Sequence, residues 1–345
     1  MDKADITVNG NSLIESIKKI ILTSRKNIVR SVNTEMLSAY WNIGRLIVED
    51  EQKNQERAQY GEQTLKHISK RLKAELGNGF SISNLQFMRR LFLSYPNQQT
   101  LSVKLSWSHY CELLTISDDN KRNFYEKECI ASKWSVRELK RQLDSSLYER
   151  LLLSRGKENK EEVKRLAEKG QEIEKPEDIL KDPYVFEFVG LPENKPVMEA
   201  DLEDALINHI EKFLLELGKG FMFVGRQQRI TFDNEHYYAD MVFYNKILRA
   251  YVIIELKTRK LLPAAVGQLN MYLNYYKAEV NDPDDNDPIG IILCTDKPST
   301  KIEYVLGGLE NRIFASKYIL YLPDKKILEE EVQTFIEDWE EKDKE

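Results

Sequence analysis

The chain has 345 residues, 41% hydrophobic and 31% charged, with a net charge of −6. That length predicts two domains, each able to bury its own core. Three scattered cysteines (Cys111, Cys129, Cys294) and four isolated histidines exclude a disulfide framework and a zinc-type spacing. No run approaches the ~18 apolar residues of a membrane span and no leader pattern opens the chain, so a cytoplasmic protein that avoids membranes is expected.

The charge is unevenly spread. Residues 1–150 hold 24 Lys and Arg against 18 Asp and Glu, a net of +6, whereas residues 151–345 carry a net of −12. A basic first half facing a polyanion accounts for this, and the acidic run at 327–345 explains only part of the C-terminal excess.

In chain order, Leu13, Ile17, Ile20, Ile21 and then Met36, Leu37, Tyr40, Trp41, Ile43, Leu46 and Ile47 repeat at helical spacing across 11–50. An amphipathic helix over 62–76 ends at Gly77-Asn78-Gly79. Ser81 or Ser83 caps a third helix over about 82–94, which Pro96 stops. Helix, glycine turn, helix is the outline of a helix-turn-helix. Its second helix carries Arg89 and Arg90, and its first offers Lys66, Lys70, Arg71 and Lys73 as nucleic-acid-binding residues. The competing reading is an ordinary helical bundle with solvated arginines. Helices at about 106–115, 120–131 and 134–150 complete a helical domain over 1–150, in which Trp41, Trp107 and Trp134 read as core.

A charged helical linker occupies 151–185, breaking near Gly170 and Pro176, with an extended lead-in from Asp182-Pro183. A second domain, 186–345, has a different pattern. A helix over 199–217 is followed by short strands at Phe221–Val224 and Arg229–Phe232, then Tyr237–Tyr244 and Arg249–Lys257. Pro263 opens a helix to about Ala278, and strand 289–294, helix 300–308, strand 313–322 and a terminal helix follow. The expected class is α+β with two domains, the second an α/β unit around a mixed sheet.

Asp240, Glu255 and Lys257 lie inside segments that otherwise read as buried strand, where unpaired charge is costly. A hairpin centred between Ile247 and Leu248 sets Asp240 opposite Glu255 on one face, and Lys257, two residues on, shares that face. Two carboxylates and an ammonium suit a hard divalent cation and a phosphate. Mg²⁺, with Mn²⁺ as substitute, would take Asp240, Glu255 and the Leu256 backbone carbonyl, and Lys257 would orient or deprotonate the attacking water or contact the phosphate. Glu203 on the preceding helix would add a carboxylate through metal-bound water, with Glu199 competing for that role. Gln268 and Tyr272 share a helix face that could look back at the strand ends; packing of Tyr272, Tyr275 and Tyr276 against the sheet is the alternative.

The helix glutamate, strand aspartate, E-x-K strand and Q-x-x-x-Y helix, in this order, resemble the PD-(D/E)XK nuclease superfamily, the last element resembling its RecB-like and phage-exonuclease branch. Ala239 stands where that motif often has proline. Phe188-Val189-Gly190-Leu191, Phe213–Gly218 and Phe223–Gln227 in the second half, with Tyr40–Gly44, Leu105–Tyr110 and Trp134–Leu139 in the first, resemble the YhcG-like nucleases over nearly the whole chain. The resemblance implies a winged-helix-like DNA-binding module joined to a PD-(D/E)XK domain, in a family met near restriction and mobile-element genes. The expected activity is metal-dependent phosphodiester hydrolysis, in DNA, by a chain that would pair as a homodimer to cut two strands. Two other readings stay open: a non-catalytic DNA-binding or assembly subunit of a restriction or defence system, and a nuclease on RNA or branched DNA.

Overall fold

The computed structural model describes residues 3–53, 60–155, 160–191, 197–259, 261–296, 300–309 and 312–342. The chain divides into two compact units, Met1–Arg122 and Asn123–Glu345.

In the first unit, α1 (Lys3–Lys53), α2 (Tyr60–Leu76), α3 (Ile82–Ser94) and α4 (Trp107–Leu113) build a core from Ile47, Leu65, Leu85 and Met88. Gly77, at φ 93, ends α2 with its N–H on the Lys73 carbonyl, and the Ser81 hydroxyl caps α3 by accepting from Asn84 N at 3.1 Å. Gly44 of α1 lies so close to α3 that a Cβ there would fall 2.0 Å from the Met88 carbonyl oxygen. Trp41 donates to the Tyr95 carbonyl and Trp107 to Asn84 Oδ1, so both indoles serve the interior. The helix, turn, helix outline is present. Among the described residues this unit contains no strand, and so no counterpart of a wing.

Helix α5 (Asp119–Ser132) runs through the division, and α6 (Val136–Asp144), α7 (Leu147–Arg155) and α8 (Lys160–Lys169) belong to the second unit. The single helix expected over 134–150 breaks at Ser145-Ser146, with Ser146 at φ 53. The break lets Arg141 and Arg150 converge on one acid. Glu216, fully buried, accepts from Arg141 Nη1 at 2.9 Å and Arg150 Nη1 at 2.5 Å, and its Oε1 also accepts from Val185 N at 3.1 Å. Lys181 donates to the Glu216 carbonyl and Arg141 also holds Glu187 at 2.9 Å. Burial alone would raise the Glu216 pKa, but Arg150, Lys181 and Arg141 bring it down to about 2. Burial lowers Lys181 to about 7.

The sheet runs β1-β6-β5-β4-β3-β2, where β1 is Tyr184–Val185, β2 Phe221–Phe232, β3 Glu235–Asn245, β4 Ala250–Lys257, β5 Ile289–Cys294 and β6 Ile313–Ile319. β2, β3 and β4 are antiparallel, and β4, β5, β6 and β1 are parallel. β5 is buried along its whole length, as a central parallel strand should be. Helices α9 (Glu199–Asn208) and α10 (Ile210–Leu217) join one core with Phe213, Phe243, Ile254 and Ile291. α11 (Pro263–Tyr275) and α12 (Thr300–Leu306) join another with Val242, Ile253 and Ile292. The terminal helix is α13 (Lys325–Lys342).

Three further expectations change. Residues 199–217 form two helices that part at His209. The two strands expected at 221–224 and 229–232 are one, bulged between Phe223 and Gly225. The lead-in from Asp182 supplies the edge strand β1, parallel to β6. The β3–β4 register is the expected one, Met241 opposite Ile254 through Asn245 opposite Ala250. The buried Asn245 holds the turn, its Oδ1 accepting from Ile247 N at 3.0 Å and Leu248 N at 3.1 Å.

Glu216→Gln strips charge from a buried partner of two arginines, which costs about 3–5 kcal/mol of unfolding free energy. The depressed Glu216 pKa also has a pH signature. Its stabilisation is full above the unfolded carboxylate range near 4.5 and is lost as pH falls toward about 2. Denaturant titrations at pH 7 and pH 3 should therefore show a gap between wild type and Glu216→Gln that narrows in acid; an equal gap at both pH values contradicts this account.

Candidate functional site

The β3–β4 ladder, continued one step past Met241 and Ile254, sets Asp240 beside Glu255. Both backbones contribute: Asp240 N donates to Glu255 Oε1 at 3.3 Å, and Leu256 N donates to Asp240 Oδ2 at 2.9 Å. Lys257 Nζ lies 3.4 Å from Glu255 Oε2, 3.9 Å from Asp240 Oδ2 and 2.8 Å from the Leu256 carbonyl. The cluster sits at the carboxyl end of β4, the end of a parallel strand where open α/β sheets bind ligands.

Helix α9 brings two glutamates. Glu199, in its first turn, meets Lys257 Nζ at 3.4 Å and accepts from Thr258 N at 3.3 Å. Glu203, one turn on, accepts from Gln227 Nε2 at 2.6 Å, and the same nitrogen lies 3.5 Å from Asp240 Oδ1. Glu199 is thus the α9 carboxylate on the lysine, and Glu203 the one tied to the aspartate through an amide. Gln268 donates to the Tyr272 hydroxyl, which reaches the Tyr238 carbonyl of β3 at 3.4 Å. Tyr272 is fully buried in the α11-side core. Among the described residues this pair makes no hydrogen bond to Asp240, Glu255 or Lys257.

The electrostatics are unbalanced. Burial and the neighbouring Asp240 charge push Glu255 up to about 7 against the pull of Lys257. Burial likewise raises Asp240, with the Leu256 N–H and Lys257 opposing. Burial would lower Lys257, but Glu255, Asp240 and Glu199 outweigh it and the ammonium is held charged. Three carboxylates against one ammonium leave a deficit of positive charge.

Among the described residues no group of three or more His, Cys, Asp or Glu side chains forms a ready-made metal cage. Mg²⁺ asks for less, since one or two carboxylates plus water and substrate oxygens complete its shell. The residues present fit such an ion. The Lys257 ammonium already rests among the Asp240, Glu255 and Leu256 oxygens, all of them hard donors. Glu203 Oε1 is buried with no hydrogen-bond partner, an acceptor suited to a cation-bound water.

The six basic residues expected to bind nucleic acid are spread over two helices, α2 and α3. Lys66, Lys70 and Lys73 share one exposed face of α2. Arg71 lies 3.7 Å from Glu75, Arg90 is exposed over the Phe87 ring, and Arg89 is held at 2.7 Å by Glu51 of α1.

Two side chains gain weight only in three dimensions. Glu199 stood in the sequence as a rival to Glu203. Gln227 stood at the end of Phe223–Gln227, a segment that carries the family resemblance. Gly225, an isolated glycine inside a strand pattern, was the available sign of the bulge that governs where Gln227 falls.

A family model described as the YhcG PDDEXK nuclease domain matches residues 177–333, and one described as the DUF1016 N-terminal domain matches residues 16–150. The Escherichia coli (strain K12) protein named "Putative nuclease YhcG" is 38% identical over 358 residues, spanning 94% of this chain and 94% of its own. No solved structure gives a significant match. Similarity along almost the full length of a relative, over both matched domains, leaves one conclusion: the chain belongs to the YhcG family, with a PDDEXK nuclease domain behind a DUF1016 N-terminal domain.

Proposed function

We propose that the protein is a Mg²⁺-dependent nuclease that hydrolyses phosphodiester bonds in DNA in the cytoplasm, with its N-terminal helices binding the nucleic acid. The observation that carries the reading is the convergence of Asp240, Glu255 and Lys257 within 3.4–3.9 Å at the end of β4. Asp240, Glu255 and the Leu256 carbonyl hold the cation, for which Mn²⁺ can substitute. When bound, a divalent ion lowers the pKa of its water and offsets charge on the phosphate. Lys257 contacts the phosphate and orients the attacking water, Glu199 steadies the ammonium, and Glu203 accepts from the water layer. Gln268 and Tyr272 brace β3 behind the aspartate.

Cleavage of duplex, single-stranded and branched DNA and of RNA should require Mg²⁺ or Mn²⁺. Asp240→Asn and Lys257→Met should each reduce the rate by about 10²–10³-fold, as loss of one group that stabilises transition-state charge does. Variants that cut as fast as wild type would reject these assignments. Binding without cleavage of any substrate would favour a non-catalytic assembly subunit of a restriction or defence system.

For the N-terminal unit, support comes from the exposed Lys66, Lys70, Arg71 and Lys73 and from Arg90. Arg89, tied to Glu51, has the weaker claim. If Lys70 and Arg90 each neutralise one phosphate, Lys70→Ala with Arg90→Ala should flatten the slope of log affinity against log salt by about 1.8. An unchanged slope removes them from the interface.

A homodimer fits the exposed stripe of α1. Leu13, Ile14, Ile17, Ile20, Ile21 and Ile28 fall on one side of the helix and are 45–66% exposed. Burying a Leu or Ile fully is worth about 1.5–3 kcal/mol, so twelve half-exposed side chains in a self-pairing would supply about 9–18 kcal/mol. That matches the about 4–15 kcal/mol that association costs. Sedimentation should give a dimer that Ile17→Glu with Ile21→Glu converts to monomer; a monomeric wild type at about 100 μM would refute the pairing.

A further inference from the structure

Strands β2 and β3 change register within one ladder. Phe223 lies opposite Phe243, but Gly225 lies opposite Val242 and Gln228 opposite Ala239. The extra residue, Val224, shifts the pairing by one, and in the shifted register Gln227 falls opposite Asp240. Since Asp240 in turn lies beside Glu255, the three residues form a row across β2, β3 and β4. Without the bulge Arg226 would take that place, because a one-residue slip exchanges the faces of a strand. Bulges beside active sites re-aim side chains in this way.

Gln227 itself sits at φ 47, a left-handed conformation that a residue with a Cβ adopts at a cost. In that conformation its amide nitrogen, which carries two hydrogens, lies between Glu203 Oε2 at 2.6 Å and Asp240 Oδ1 at 3.5 Å. The other oxygen of Glu203 is buried without a partner. Register, backbone conformation and amide placement all converge on this one side chain, at the junction of α9 and the sheet.

We propose that Gln227 is a positioning residue. Its carboxamide couples the α9 carboxylate Glu203 to the strand carboxylate Asp240, so that Asp240 is oriented toward a divalent cation and the free oxygen of Glu203 toward that cation's water. The proposal rests on the metal-dependent reading given above. Groups that orient metal ligands in this manner typically change metal affinity or activity by about 10–100-fold when removed.

The decisive variant is Gln227→Gly, which suits the left-handed backbone but lacks the amide. Calorimetric titration with Mn²⁺ alone, without nucleic acid, should give a dissociation constant raised about 10–100-fold, and the Mg²⁺ needed for half-maximal cleavage should rise in parallel. The melting temperature should not fall. Gln227→Asn keeps a shorter amide and tolerates the same conformation; partial recovery of Mn²⁺ affinity is expected, and affinity no better than that of the glycine variant would count against the amide. A wild type that binds Mn²⁺ and cuts, with Gln227→Gly equal to it in both, overturns this inference and leaves the nuclease reading intact. A wild type that neither binds Mn²⁺ nor cuts overturns both.

Discussion

The β3–β4 hairpin register is the constraint on which the site depends. Asp240 and Glu255 are fifteen residues apart, and only the pairing that sets Asn245 opposite Ala250 brings them side by side. The turn is held from within, by the Asn245 side chain accepting two backbone N–H groups. A slip of one residue would turn Asp240 to the other face and bury it in apolar side chains, a change the hydrophobic pattern of both strands opposes. The same residues that make the hairpin a core element therefore also make the acids meet.

Two buried acidic groups in the second unit show opposite electrostatic design. Glu216 is surrounded by Arg141, Arg150 and Lys181 and titrates near 2. Glu255 has Asp240 beside it, with Lys257 the cation that offsets both among the described residues, and is pushed up to about 7. The Glu216 network is saturated with partners, whereas the Asp240–Glu255 cluster keeps an excess of negative charge, a pattern that clusters at functional sites. The contrast distinguishes the two clusters without reference to relatives.

The Glu216 network also explains why sequence and packing divide the chain differently. The N-terminal family match runs to residue 150, but the compact units part at Arg122. Arg141 and Arg150 lie inside that matched segment, yet both spend their charge on Glu216 of α10. Helices α6 and α7 are thereby part of the second unit by packing. Arg150 is fully buried and Arg141 divides its charge between Glu216 and Glu187, so neither is separated cheaply from that acid.

The sequence alone determined the class of each half, the secondary elements around the charged strands and the pairing of Asp240 with Glu255, because these follow from local periodicity and from the arithmetic of a short hairpin. It also set Gln268 and Tyr272 on one face of α11. It did not determine the breaks at Ser146 and His209, since both interrupt continuous helical patterns for reasons of packing. Only the tertiary structure decided that Glu199 meets Lys257 while Glu203 is reached through Gln227. It joined two expected strands into one and used the bulge at Val224 to aim a glutamine at an aspartate. Those choices depend on how a helix approaches a sheet and on a one-residue register shift. Neither leaves a trace in composition or spacing beyond a single glycine, Gly225.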